Sequence, residues 1–206
     1  FLPFAALFAK LAVKLIPDRA VEAMAIIRPR YLDDNLIQVP SMALERARME
    51  LGHMSQVTSG MREKARLALG PGDLGGLAQQ FDQVVVLREA VLTYLQQIGR
   101  SELSDSDSEE HARLVVATGE IESMSAALSH DLAPLAQALN TAMAAPSKET
   151  TELLDRLLQA TLDAAQCALR ALVERDEQAA QTVVAKRIEI LDLSAKLQSQ
   201  QAARLA

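Results

Sequence analysis

Apolar residues recur along most of this chain at alternating steps of three and four, the period of an amphipathic helix. Ser41 is placed to cap a long helix running to about Leu69, with Ala47, Leu51, Met54, Thr58, Met61, Ala65 and Ala68 on its apolar stripe. Gly70-Pro71-Gly72, followed by Gly75-Gly76, ends it. A second helix reads from about Leu74 to Ile98 on Leu77, Phe81, Val84, Val91, Leu95 and Ile98. Val84-Val85-Val86 does not break that period, and Gly99 closes the helix. After the acidic stretch GRSELSDSDS, Ser106 and Glu109 form a capping-box pattern for a third helix on Leu114, Ile121, Leu128, Leu132, Leu135 and Leu139. Pro134 should kink or split it, because proline removes a backbone donor and crowds the preceding turn.

Pro146-Ser147 marks the next break, and a fourth helix follows from about Glu149 to Val173 with Leu153, Leu157, Ala164 and Ala168 on its stripe. Asp176 then caps a fifth, on Val184, Ile188, Leu191 and Leu197. Short turns between long helices imply antiparallel neighbours. The expected fold is therefore all-α, an antiparallel bundle of about five core-forming helices. Residues 28–40, bracketed by Pro29 and Pro40, read as a largely non-helical linker, with the helical domain occupying 41–206.

Composition agrees with helices. Half of the 206 residues are apolar but only 3% are aromatic, with no Trp, whereas sheet cores lean on aromatic and β-branched side chains. The net charge of −6 argues against nucleic-acid binding by the chain as a whole. It is unevenly spread. Lys10, Lys14, Arg19, Arg28 and Arg30 outnumber Asp18 and Glu22, so residues 1–30 carry +3 and the rest −9. Cys167 is the single cysteine, which excludes an internal disulfide; its apolar helical setting reads as packing rather than nucleophile.

The N-terminal stretch FLPFAALFAKLAVKLIP lacks the charge-first order of a signal peptide and is too short for a complete membrane span. Two readings stand: the cytoplasmic end of a span, with bases following it, or an amphipathic core helix. Phe1, Leu2, Phe4, Leu7, Phe8, Leu11, Leu15 and Ile16 are more apolar surface than one solvated helix should show. That predicts packing into a vacant groove of the bundle or against a second copy in a symmetric dimer.

Signs of catalysis are absent. No CxxC, HExxH, GxSxG or phosphate-cradling glycine loop occurs, and the glycines at 70–76 read as a helix–helix turn. His53 should be half exposed beside Met54, His111 lies in the first turn of its helix, and His130 precedes Asp131 without forming a Glu-x-x-His pair; each reads as a satisfied or solvated side chain. Acids four residues apart occur at Asp18/Glu22 and Asp105/Glu109, neither inside a bundle. Arg88 falls on an apolar stripe and is expected to snorkel, the alternative being a buried acid such as Glu120 or Glu122. Met42, Met49, Met54 and Met61 would give the first bundle helix a soft core surface.

The N-terminal phrase resembles the tail of the last membrane helix in bacterial sodium/phosphate cotransporter family proteins. There a connector of the type P-x-Y-L-D…P leads into a PhoU-like helical domain. Pro29-Arg30-Tyr31-Leu32-Asp33, Pro40, Ala43, Leu44 and Glu45 stand in that order here, and Asp176, Ala179, Lys186 and Arg204-Leu205 resemble the family's closing helix. The resemblance implies a membrane-proximal helix at 1–27, transmembrane helices before it, and a further helix after Leu205. It also implies a non-catalytic regulatory or assembly role in phosphate transport at the cytoplasmic face of the bacterial inner membrane. A soluble PhoU-like metal-binding regulator of phosphate uptake is the alternative. The paired acids that hold metal in PhoU-like proteins are reduced here to Asp82 with Val86 and Glu122 with Ala126, so neither a metal nor any other cofactor is expected. The expected partners are the transmembrane part of the same protein and a second copy.

Overall fold

The computed structural model describes residues 28–66, 74–141 and 146–205. The expectations for residues 1–27, for Ala68 and for Gly70-Pro71-Gly72 lie outside these. The described residues contain helices and no strand. After a 3₁₀ turn at Asp34–Leu36 come α1 (Pro40–Ala65), α2 (Leu77–Ile98), α3 (Asp105–Ala126), a π-helical turn (Ala127–Leu132) leading into α4 (Ala133–Thr141), α5 (Lys148–Glu174) and α6 (Glu177–Leu205). With α3 and α4 forming one interrupted rod, five helices pack as an antiparallel bundle.

Helix starts follow local chemistry more closely than the sequence pattern suggested. Pro40, not Ser41, opens α1 behind Val39, as suits a residue whose missing N–H would be unsatisfied there anyway. The N-cap lies two residues earlier than expected, at Ser104, whose Oγ accepts from Asp107 N at 3.1 Å and donates to Asp107 Oδ2 at 2.8 Å. Ser147 caps α5, and Asp176 caps α6 as expected, accepting from Ala179 N at 2.9 Å. Gly76 sits at φ 79° just before α2, a left-handed conformation that glycine adopts without penalty.

The described stripes of α1 and α2 are buried as read, apart from Phe81, which is half-buried against the core. Leu51, Met54, Met61, Val84, Val91, Leu95 and Ile98 meet Leu114 and Ile121 of α3 in one core. Met42 and Met49, by contrast, are exposed, so only half of the methionine set fills the core. Thr58 and Ser125 face each other at 2.8 Å inside it. One of the two hydroxyls donates to the other, and the one that accepts gives its own proton to the carbonyl one turn back in its helix, Met54 O for Thr58 or Ile121 O for Ser125, so neither hydroxyl is stranded.

Three stripes are corrected. Pro134 does split the third helix, and the π turn just before it adds a residue that shifts the apolar face: Ala136 is buried while Leu135 is exposed. In α5 the buried apolar positions are Ala160, Leu162 and Leu169, with Leu153, Leu157, Ala164 and Ala168 only half-buried. In α6 the assigned stripe is reversed at three of its four positions. Ala179 and Leu193 are buried and Leu197 is half-buried, while Val184, Ile188 and Leu191 are exposed. That helix is apolar on two opposite faces, so periodicity alone could not say which one faces the bundle.

These assignments predict a contrast. Leu193→Ala should destabilise the fold by about 2–3 kcal/mol, whereas Leu135→Ala should stay within about 0.5 kcal/mol of the parent in urea titration.

Candidate functional site

The chain enters the bundle through residues 28–39, and these are fastened rather than loose. Glu50 lies on the inward side of α1, between Ala47 and Met54, and has 0% exposure. Its Oε2 accepts from the backbone N–H groups of Arg30 and Tyr31, both at 2.8 Å. Its Oε1 accepts from His53 Nδ1, also at 2.8 Å, one turn along the same helix. A carboxylate can only accept in such a contact, so His53 carries its proton on Nδ1. His53 is therefore buried, not half exposed as its neighbour Met54 suggested.

A second fastening comes from α2. Tyr94 is buried and its hydroxyl donates to Asp33 O at 2.8 Å. Burial holds the phenol above its ordinary value of 10.0, keeping it in the donating form. Asp33 Oδ1 in turn accepts from Asn35 N at 3.0 Å and starts the 3₁₀ turn. Leu32, Leu36 and Ile37 pack onto the core from the same segment. The stretch read as a linker is thus a docked connector.

Beside it stands a charged node. Glu110 of α3, 8% exposed, meets Arg48 Nε of α1 at 3.2 Å and Arg113 Nη1 at 3.8 Å. It also pairs with Arg175, the residue that joins α5 to α6. Glu45 holds Arg48 at 2.7 Å and Glu109 pairs with Arg113, so the three guanidiniums are balanced by three carboxylates. Arg175 adopts φ 55°, a strained choice for a residue with a side chain. Its guanidinium reaches Glu110 from that position. Asp176 follows, and the Ala179 N–H donating to its carboxylate, with Arg170 beside it, holds it below the usual carboxylate range.

A cleft of 720 Å³ opens between α3 and the α5–α6 corner, lined by Leu114, Ala117 and Leu172 together with Glu109, Asp176 and Glu177. No thiol lies among its lining residues, since Cys167 is half-buried elsewhere in α5.

The residues singled out for metal are not assembled into a site. Asp82 is exposed. Glu122 has Arg88 Nε at 3.0 Å from its Oε2, although that N–H is not aimed at the oxygen and the contact is Coulombic. Arg88 thus meets an acid across α2 and α3 instead of snorkelling freely. Among the described residues no group of three or more His, Cys, Asp and Glu could hold a metal ion. His111 Nε2 donates to Leu95 O at 2.9 Å, and His130 packs its ring edge-on to Phe81 at 4.5 Å between centroids.

Sequence reasoning missed Glu50, Tyr94 and Glu110. For Glu50 a signal existed: it stands three residues after Ala47 and four before Met54, a charge on the apolar stripe. Glu110 stands just after the acidic stretch that precedes the third helix, where one more acid carries no signal, and Tyr94 gave no sign of its partner. No protein-family model, curated protein or solved structure matches the chain.

Glu50→Ala should cost about 2 kcal/mol, since two part-buried N–H groups and His53 lose their acceptor, and should speed amide exchange at Arg30 and Tyr31. The Tyr94 phenol contributes stability that is fully present below pH 10.0 and lost as pH rises through its higher folded value. Tyr94→Phe should remove that alkaline loss and cost about 1 kcal/mol at neutral pH, read by urea titration across pH.

Proposed function

We propose that this chain is the cytoplasmic regulatory or assembly domain of a sodium-dependent phosphate transporter, non-catalytic itself and attached rigidly to a membrane part through residues 28–39. Two things support the reading. One is the sequence resemblance of the N-terminal phrase, the connector and the closing helix to the sodium/phosphate cotransporter family. The other, which carries it, is the fastening of the connector by Glu50 and Tyr94. A mere tether needs no buried acceptor, whereas a domain that senses or steers a membrane part needs a stiff joint to it. Among the described residues no helix is long and apolar enough to cross a membrane, so the membrane part in this proposal comes from residues outside them.

The test is sodium-driven phosphate uptake by the complete protein that carries this chain, expressed in bacteria lacking their own phosphate transporters. Sodium-dependent uptake is expected, with its rate or regulation altered in Glu50→Gln at equal protein level in the membrane. No sodium-dependent uptake would overturn the reading. Stoichiometric metal surviving dialysis of a water-soluble complete protein would favour a soluble metal-binding regulator instead.

A further inference from the structure

We propose that the outer face of α6 is an interface for a second copy of this chain, pairing in parallel and in register. The pairing argument rests on α6 and its place against α5, and does not depend on the transporter reading. The face consists of Val184, Ile188, Leu191 and Ala195, spaced by four, three and four residues. The three large side chains are 69%, 67% and 58% exposed. Ala179 and Leu193, which pack toward α5, lie on the opposite side of the helix, so the stripe points directly away from its own bundle.

Side-chain identity along the stripe selects the partner. In heptad terms Ile188 and Ala195 occupy a positions, and Val184 and Leu191 occupy d positions. A β-branched residue at a with Leu at d favours two parallel strands over higher assemblies. The flanking charges agree. Arg187 and Asp192 occupy the g and e positions on either side of the seam, five residues apart, which is the spacing at which g of one helix meets e of a parallel partner. Antiparallel pairing would instead bring Arg187 toward Arg187 and Asp192 toward Asp192. Both side chains belong to exposed residues, and neither has an ion-pair partner among the described residues. The neighbouring Lys186 is already engaged, with Glu189 at 3.1 Å and Asp163 at 4.0 Å.

Orientation has a further consequence. The Glu110 node ties the start of α6 to Arg48, two residues from the Glu50 that holds the connector. A parallel pair therefore places both connectors at the same end of the dimer, as two copies attached to one surface require. The seam covers only about one and a half heptads, well below a standard interface, so the dimer is expected to be weak in dilute solution and populated at high chain concentration.

Sedimentation velocity of the 206-residue chain over a concentration series, together with oxidative cross-linking, tests this. The expected result is a concentration-dependent dimer whose dissociation constant rises about tenfold or more in Ile188→Asp. Arg187→Asp or Asp192→Arg alone should weaken it by about threefold, and the two together should restore it. Leu191→Cys in a Cys167→Ser background should oxidise to a covalent dimer, because d positions face each other across a parallel seam at disulfide distance. Should Ile188→Asp fail to fold, the charge exchange and the cross-link carry the test. A monomer at every concentration, or a dimer indifferent to Ile188→Asp and to the charge exchange, would overturn the proposal. So would a dimer that refuses the Leu191→Cys cross-link, since its helices would then be antiparallel or out of register.

Discussion

A carboxylate cut off from water must be given hydrogen-bond donors by the protein around it, or its burial costs several kcal/mol. Glu50 is in that position, and the donors it takes come from the chain segment ahead of the bundle, Arg30 N and Tyr31 N, and from His53 on its own helix. One buried charge thereby ties the path of residues 28–39 to α1. The tie is to main-chain groups, so it does not depend on the side chains at 30 and 31. What it does require is that the backbone pass at this distance and in this direction, and Tyr94 holding Asp33 O strengthens the same demand from α2.

A second consequence of buried charge appears at Glu110. The α5–α6 hairpin packs mainly on itself, with α5 making the smaller contact to α1 and α3 and α6 resting on α5. Its corner is joined to the three-helix core where Arg175 and Arg48, from two different elements, converge on one carboxylate. The left-handed backbone at Arg175 is the local cost of turning sharply between two long helices with a side chain still available for that contact. Connector, core and hairpin are therefore linked at one end of the bundle, with Arg48 and Glu50 separated by a single residue of α1.

That arrangement gives physical content to the proposed role. A regulatory domain transmits its state only if the joint to its partner is stiffer than the motion being transmitted. Here the joint is made of hydrogen bonds to a buried carboxylate and from a buried tyrosine, at the end where the chain enters the bundle. An α6 that is apolar on both sides adds a surface through which two such domains could be coupled.

Much of this fold is present in the residues read one after another. The stripes of α1 and α2, the split at Pro134 and the cap at Asp176 depend on contacts within a turn or two, and local patterns encode those directly. The stripe of α6 was misread because both of its faces are apolar and only the position of α5 decides which is inside. Leu135 was misplaced because a π turn shifts the register of everything after it, and no periodicity shows a register shift before it happens. The candidate site depended most on tertiary structure. The charges at Glu50 and Glu110 are visible in sequence, but their partners lie 19, 20, 62 and 65 residues away. A carboxylate's role is set by the donors around it, and donors that distant are brought together only by the packing of the helices that carry them.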